Sequence, residues 1–250
     1  MSQPVDYAFL HGGGQGGWVW DETIAALSQQ TGGRFGRALA LDAPGCGKKR
    51  GRNTEGIDPQ RVAAELVADI EAAGLRDVVL VGHSQAGMEL PFMLELRPDL
   101  FRRAVYVTCS APPAGRSTLS MMGSGVHGQN PDEVGWPVDP ATHSMAERFQ
   151  LMFCNDMTPE QGVDFQSRLG HDMWPALTYT FSGWRYDHLD AVPATFVLCL
   201  RDLSLPAAWQ EVFAERLRCG RRVSIDAGHQ VMNTRPQALA EVLRLEAAVT

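Results

Sequence analysis

One serine of this chain stands where nucleophilic chemistry is feasible. Ser84 lies in the letters VVLVGHSQAGM, between an apolar run at 78–81 and a helical run predicted over 88–96. A tight turn from strand to helix leaves room only for small side chains two positions before and two positions after the serine. Gly82 and Ala86 occupy those positions. The pattern therefore predicts that Ser84 is a nucleophile held on a strained turn.

A serine hydroxyl is a weak nucleophile at neutral pH, so it needs a base within hydrogen-bonding reach. His229 lies in the turn DAGHQ, after the last predicted strand and before the final helix. No other histidine follows a late strand and precedes a C-terminal helix, which excludes His11, His83, His127, His143, His171 and His188. His229 is predicted to be the general base.

The base needs a carboxylate that fixes its tautomer. Asp202 follows the predicted strand 195–200 and precedes the histidine, which is the usual order when the serine lies on such a turn. Asp187 and Asp190 precede that strand, and Asp226 stands only three residues before the histidine. The end of the fourth strand reads Thr-Cys-Ser at 108–110 and offers no carboxylate. Asp202 is predicted to orient the base.

Acyl transfer also needs donors for the oxyanion, usually the N–H after the nucleophile and one from the loop after the first strand. Gln85 supplies the first. The run HGGGQGG at 11–17 follows the first strand, and Gly13 is the candidate for the second. A glycine-rich run can also bind the phosphates of a nucleotide. Here no Lys-Ser or Lys-Thr follows the run, and no ribose-binding acid stands at the proper distance, so a nucleotide site is not favoured.

These residues must be positioned by a common framework. Apolar runs predict six strands, at 7–10, 37–41, 78–81, 104–107, 195–200 and 222–225. Helical periodicity lies between them, with one face carrying Val62, Leu66 and Ile70. Strands that alternate with helices predict an α/β fold, a mostly parallel sheet with helices on both faces and chemistry at the strands' carboxyl ends.

One stretch breaks this alternation. Residues 112–190 are rich in Met, Gly, Pro, His and Trp and show no clear strand pattern. We expect a helical cap insertion over the site there, with 1–111 and 191–250 forming the core. Gly12 after the first strand, and Trp174 and Trp184 of the cap, are candidate substrate contacts. A basic run at 48–52 is interpreted as a solvated loop.

Composition excludes several function classes. The net charge is −7 and basic residues form no patch, which argues against nucleic acid as a partner. No leader and no long apolar segment is evident, so a cytoplasmic protein without a membrane partner is expected. The five cysteines are widely spaced and suggest neither zinc nor redox chemistry. No metal or other cofactor is expected. A homodimer stays open.

Four segments together carry a resemblance to a known family: FLHGGGQGGWVW, VGHSQAGM, RDLSLPAAWQ and DAGHQVMNTRP. They resemble the small, cofactor-free α/β-hydrolases that include plant methyl-salicylate-type esterases and hydroxynitrile lyases. The resemblance implies the same serine, acid, histidine and oxyanion donors. The cyanohydrin-cleaving members carry a threonine and a lysine where this chain has Gly12 and Gln230. That difference favours hydrolysis.

The sequence thus predicts a serine hydrolase that cleaves an ester or lactone bond of a small, largely apolar molecule through an acyl-enzyme. Two alternatives stay open. The first keeps the fold but runs other chemistry, as a lyase, a thioesterase or a cofactor-free oxygenase. The second is a receptor-like protein that binds a small molecule with little turnover.

Overall fold

The apolar runs of the chain form one six-stranded sheet in the computed structural model, which describes residues 4–249. The strands, in chain order, are β1 (Tyr7–Leu10), β2 (Ala38–Leu41), β3 (Val78–His83), β4 (Phe101–Val107), β5 (Ala194–Cys199) and β6 (Arg221–Ile225). Their spatial order is β2-β1-β3-β4-β5-β6, and every neighbouring pair is parallel. The predicted sheet of six strands is confirmed, and it is parallel throughout the described residues.

Ten α-helices lie between or after the strands of the described residues. Their bounds are α1 (Asp21–Thr31), α2 (Pro59–Ala72), α3 (Leu90–Leu96), α4 (Thr118–Met122), α5 (Met145–Cys154), α6 (Pro159–Arg168), α7 (Leu177–Thr180), α8 (Ala207–Arg216), α9 (Val231–Thr234) and α10 (Pro236–Ala248). The helical run predicted over 88–96 instead starts as a 3-10 turn, Ser84–Met88, and continues as α3. Pro91 fits the first turn of α3 because a backbone N–H is not needed there.

The sheet is covered on both faces, because successive side chains of a strand point to opposite sides. Ala8 and Leu10 face a core completed by α2, α3 and α8. Tyr7 and Phe9 face a second core, completed by α1, α9 and α10. The predicted layers of helices on both faces are confirmed, and the near-continuous apolar strands reflect this double burial.

Helices α4 to α7 lie between β4 and β5, in the stretch predicted to be a cap; residues 112–190 are called the inserted segment below. An ion pair ties this segment to the loop after β2. Arg50 donates two hydrogen bonds of 2.9 Å to the carboxylate of Asp172, and the N–H of Gly47 donates a third at 2.8 Å. The Asp172 side chain is fully buried, whereas that of Arg50 is half-exposed. Arg50 therefore anchors the inserted segment, and the interpretation of the basic run as a solvated loop is wrong for this residue.

We expect Arg50→Ala to lower the melting temperature by a few degrees near pH 7, since the buried Asp172 carboxylate loses its cation. Burial disfavours the ionised form, but the hydrogen bonds from Arg50 and Gly47 outweigh it and hold the pKa of Asp172 below its ordinary value. Such a carboxyl stabilises the fold above its unfolded-state pKa and loses that contribution as pH falls through the lower, folded value. The melting temperatures of wild type and variant, followed by circular dichroism, should therefore approach each other as pH falls below about 4 and coincide only below the folded-state pKa of Asp172.

Arg52→Ala is the matched control, because Arg52 belongs to the same basic run but pairs with the more exposed Glu65. It should change the melting temperature less than Arg50→Ala does. A deficit of Arg50→Ala that is as large at pH 3 as at pH 7 would show that the ion pair with Asp172 is not its cause.

All five cysteines are buried free thiols: Cys46, Cys109, Cys154, Cys199 and Cys219. Burial raises the pKa of Cys154 to about 11 and raises that of Cys199 well above its ordinary value. Separately, none of the helices between residues 4 and 249 has the length and apolar character needed to cross a membrane.

Candidate active site

Ser84 directly follows β3, at the carboxyl end of the sheet. Its φ of 53° is a left-handed backbone conformation that non-glycine residues rarely adopt. A Cβ on Gly82 would stand 2.8 Å from Leu90 and 3.1 Å from Ala86, so the turn has no room for a larger side chain there. The carbonyl of Ser84 accepts a hydrogen bond from the N–H of Ser110. The predicted strained turn is present, with the backbone held by its neighbours.

The structure brings the serine, the histidine and the aspartate together. His229 Nε2 lies 2.9 Å from Ser84 Oγ, and His229 Nδ1 lies 2.7 Å from Asp202 Oδ2. Since a carboxylate only accepts, Nδ1 carries the proton and Nε2 is left to accept from the serine hydroxyl. His229 is 1% exposed, and the Asp202 side chain is fully buried. The three residues form one hydrogen-bonded chain although they are separated by up to 145 positions.

The Asp202 carboxylate is fully hydrogen-bonded. Oδ1 accepts from the backbone N–H groups of Ser204 and Leu205, at 2.7 and 2.9 Å. Oδ2 accepts from His229 and also from the hydroxyl of Thr108, at 2.5 Å. Four hydrogen bonds to one carboxylate hold its plane fixed, so Oδ2 stays directed at His229 Nδ1.

Thr108 is a site residue that sequence reasoning missed. It directly follows β4 and is completely buried, with a φ of 37° that is unusual for a β-branched side chain. In the sequence this position shows only that no carboxylate follows the fourth strand. The sequence signal that could have identified Thr108 is a hydroxyl residue directly after β4. This strand lies between β3, which precedes Ser84, and β5, which precedes Asp202.

Two further histidines support the site. His83 Nε2 donates to the carbonyl of His229 at 2.9 Å, with 4.6 Å between the ring centroids. His11 Nδ1 donates to the carbonyl of Gly12, and its Nε2 accepts from the N–H of Ala43. Burial lowers the pKa of both His11 and His83 below the ordinary value. Both rings are therefore neutral near pH 7 and orient backbone groups.

The loop after β1 lies against the serine. A Cβ on Gly12 would stand 2.9 Å from the Cβ of Ser84, and one on Gly13 would stand 2.5 Å from Oε1 of Gln85. Only glycines allow this close approach of backbone to nucleophile. Within residues 4–249 the backbone N–H of Gly13 donates no hydrogen bond, so it is free for a ligand. The two predicted oxyanion donors thus come from adjacent chain segments.

The inserted segment reaches the site from above the sheet. Trp174 is buried and donates from Nε1 to the carbonyl of Gly12 at 3.1 Å. The ring of Phe153 lies 5.6 Å from that of His229, and Asp156 accepts from the N–H of Gly228 at 2.8 Å. The segment therefore contacts the loops on both sides of the serine.

Trp184 has different neighbours. It is buried, donates from Nε1 to the carbonyl of Arg116 and packs against Phe92 and Phe181. These contacts lie within the inserted segment and with α3, and none of these partners is a predicted site residue. Over the described part of the chain, no group of three or more His, Cys, Asp or Glu side chains is arranged to hold a metal ion.

Comparison with known proteins agrees with this architecture. A family profile described as "Alpha/beta hydrolase family" matches residues 8–242. Polyneuridine aldehyde esterase of Rauvolfia serpentina is 25% identical over 262 residues, covering 96% of this chain and 95% of that protein. An extracellular α/β-hydrolase from a Paenibacillus species superposes with a TM-score of 0.76 at 18% identity, covering 98% of this chain and 99% of the other. At that identity the superposition shows the fold alone.

Other relatives match over a shorter region. The probable esterase PIR7A of Oryza sativa subsp. indica is 34% identical over 111 residues, which make up 44% of this chain. The chain spans about two fifths of that relative's length, 41%. The family profile, by contrast, extends from β1 to α10 and includes Ser84, Asp202 and His229. The chain belongs to the α/β-hydrolase family.

Proposed function

We propose that this protein is a serine hydrolase that cleaves an ester or lactone bond of a small, largely apolar molecule through an acyl-enzyme. The observation that carries the proposal is the position of His229 Nε2, 2.9 Å from Ser84 Oγ, while Nδ1 is held by Asp202. A base within hydrogen-bonding reach and oriented by a buried carboxylate is the arrangement that activates a serine. The names of relatives such as polyneuridine aldehyde esterase support an ester as substrate.

In the acylation step, Ser84 Oγ attacks the substrate carbonyl carbon while His229 Nε2 takes the hydroxyl proton. The carbonyl oxygen becomes an oxyanion, which the N–H groups of Gly13 and Gln85 stabilise by several kcal/mol. The tetrahedral intermediate collapses, the C–O bond to the leaving group breaks, and His229 returns the proton to the departing alcohol. Asp202 stabilises the imidazolium that exists between these two proton transfers.

In the deacylation step, His229 accepts a proton from water, whose oxygen attacks the ester carbon on Ser84. The same two N–H groups hold the second oxyanion. The bond to Ser84 Oγ then breaks, the serine recovers its proton from His229 and the carboxylic acid leaves. Each proton that the histidine takes is returned, so the residues of the chain are unchanged after each turnover.

The surroundings of the site support an apolar substrate. Phe153 lies beside the imidazole, and Met88 of the serine turn and Met121 of the inserted segment belong to one buried apolar cluster. Pockets for small ligands are lined mainly by such side chains, with few polar groups. We propose that Gly12 and Trp174 contact the substrate from the loop side.

A fluorophosphonate probe tests the proposal directly. An activated serine should form a covalent phosphonate, and peptide mass spectrometry should place it on Ser84 at a ratio approaching one per chain. Hydrolysis of p-nitrophenyl butanoate should stop in proportion to labelling. Labelling at a different residue, or full esterase activity after complete labelling of Ser84, would contradict the proposal and favour other chemistry on the same fold.

Thr108 should act as a positioning residue for this reaction. We expect Thr108→Val to lower kcat for p-nitrophenyl butanoate about 10- to 100-fold, because Asp202 loses a charge-assisted hydrogen bond. KM should change little, since Thr108 is buried behind the carboxylate and does not face the substrate. Steady-state kinetics separate the two parameters.

Thr108→Ser provides the control, because it keeps the hydroxyl and removes only the methyl group. It should retain kcat within about threefold of wild type if the bond to Asp202 is what matters. Equal losses in Thr108→Ser and Thr108→Val would instead assign the effect to packing around the strained backbone.

A further inference from the structure

Two neighbouring residues of the inserted segment contact the loops that carry the acid and the base of the site. Asn155 and Asp156 directly follow α5. The acid loop, residues 200–206, joins β5 to α8 and holds the aspartate that orients the base. The base loop, residues 226–230, joins β6 to α9 and holds the histidine. The inserted segment therefore reaches both loops that must stay in register for proton transfer.

Asp156 holds the base loop on both sides of His229. Its Oδ2 accepts a hydrogen bond of 2.8 Å from the N–H of Gly228, the residue before the histidine, and one of 3.0 Å from the hydroxyl of Thr234 in α9. Only 2% of the Asp156 side chain is exposed, so its removal would leave shielded donors without a partner. One oxygen thus fixes the chain before and after the imidazole.

Asn155 holds the acid loop. Its Nδ2 donates a hydrogen bond of 2.7 Å to the carbonyl of Arg201, the residue before Asp202. The N–H of Arg201 in turn donates to the carbonyl of Ala227 in the base loop, at 2.9 Å. The inserted segment and the two loops are therefore joined by direct hydrogen bonds, and each loop is held one residue before the side chain that takes part in proton transfer.

Gly228 has no side chain at the point where these two residues meet the base loop. A Cβ on Gly228 would collide with Asn155 Oδ1 and stand 2.6 Å from Asp156 Oδ1. Both of these oxygens are buried, and neither has a hydrogen-bond partner within residues 4–249. Buried oxygens without partners destabilise a fold. Such a cost is typical of functional sites, where the position of a group matters more than its contribution to stability.

We propose that Asn155 and Asp156 are positioning residues through which the inserted segment sets the distance between the imidazole of His229 and the hydroxyl of Ser84. The inference rests on the proposed ester hydrolysis. Both residues act through the backbone of the loops, and a displacement of the imidazole by about 1 Å lowers the rate by roughly 100-fold. The serine is then activated only while the inserted segment lies on the two loops.

Asp156→Ala removes the acceptor that holds the base loop. We expect kcat for p-nitrophenyl butanoate to fall about 10- to 100-fold, because His229 can leave its hydrogen-bonded position, while KM changes little. Asp156→Asn keeps an oxygen that can accept from Gly228, so kcat should stay within about threefold of wild type. The lost charge matters little, since Arg201 and Arg235 are 43% and 39% exposed and lie 3.9 and 4.0 Å from Oδ2.

Asp164→Ala is the matched control, because it removes an exposed carboxylate from α6 of the same inserted segment. It should keep the kcat and KM of wild type. Asn155→Ala tests the acid loop and should lower kcat about 3- to 10-fold at nearly constant KM. Titration to completion with a fluorophosphonate normalises each rate to the fraction of folded, active protein. If Asp156→Ala does not fold, Asn155→Ala decides the question by the same measurements.

Proton NMR gives a readout that does not depend on turnover. The proton between His229 Nδ1 and Asp202 should give a resonance far downfield in wild type, which Asp156→Ala should broaden or shift and Asp164→Ala should not. A role in stability alone would lower the melting temperature and leave this resonance and the normalised kcat unchanged, which would overturn the inference. Failure of Asp156→Asn to restore kcat would also overturn it, since the acceptor would then not be the cause.

Failure of this inference can be told apart from failure of the proposed function. If wild type hydrolyses the ester in a reaction that depends on Ser84, but Asp156→Ala keeps its kcat, only the inference about the two positioning residues fails. If wild type does not hydrolyse the ester and no probe labels Ser84, the proposed function itself fails. The resonance of the His229 proton still shows in that case whether Asp156 holds the imidazole in place.

Discussion

Ser84→Ala is expected to lower kcat/KM for p-nitrophenyl butanoate by roughly 10⁴- to 10⁶-fold, because the covalent step loses its nucleophile. The proposed oxyanion donors and His229 would remain in place and orient water, so a small residual rate is expected. The variant should fold as the wild type does, since alanine fits the same turn and removes a hydroxyl whose bond to His229 lies at a partly buried position. Initial rates with equal protein concentrations give the comparison.

Ser224→Ala is the matched control, because Ser224 is an exposed serine on β6. It should keep the wild-type rate. If Ser84→Ala retained more than a few per cent of the activity while folded, a nucleophilic serine would be excluded. The histidine and aspartate would then act as a base in other chemistry, such as that of a cofactor-free oxygenase.

Asp202→Asn is expected to lower kcat by roughly 10³- to 10⁴-fold without a comparable change in KM. An asparagine amide facing His229 Nδ1 donates instead of accepting, so the imidazole proton moves to Nε2. That nitrogen then cannot accept the proton of Ser84. Steady-state kinetics over a range of pH would show the loss, with circular dichroism to confirm folding.

The sequence itself supplies the control for this prediction. Asp226 lies three residues before His229 and was the competing candidate for the acid. The structure places it at the surface, with its side chain 75% exposed and paired with Arg201. Asp226→Asn should therefore stay within about twofold of wild type. A larger loss in Asp226→Asn than in Asp202→Asn would reverse the assignment of the acid.

Much of the site was predictable because it depends on chain order and on one topological rule. Parallel strands end at the same edge of a sheet, so residues that follow β3, β5 and β6 meet there whatever their separation in sequence. The apolar runs located those strands within a few residues. The small residues around Ser84 then identified the turn, and the order of serine, acid and histidine along the chain identified Asp202 and His229.

Other parts depend on which way individual side chains point, and no spacing rule gives that. The bond from Thr108 to Asp202 joins residues 94 positions apart, and the ion pair of Arg50 with Asp172 joins residues 122 apart. Gln85 and Thr178 meet only because the inserted segment folds back over the serine turn. These contacts arise from tertiary packing, which local periodicity does not encode.

Because all five thiols are buried, the rate at which each one is alkylated reports how often the structure around it opens. Iodoacetamide reacts with thiolates, so a sulfur with a high pKa and no solvent contact is alkylated only during excursions from the native state. Cys154 ends α5, whereas Cys199 is the last residue of β5, a strand paired on both sides within the sheet. Carbamidomethylation of Cys154 ahead of Cys199 would report detachment of residues 112–190 alone, and equal rates would report cooperative unfolding of the entire chain.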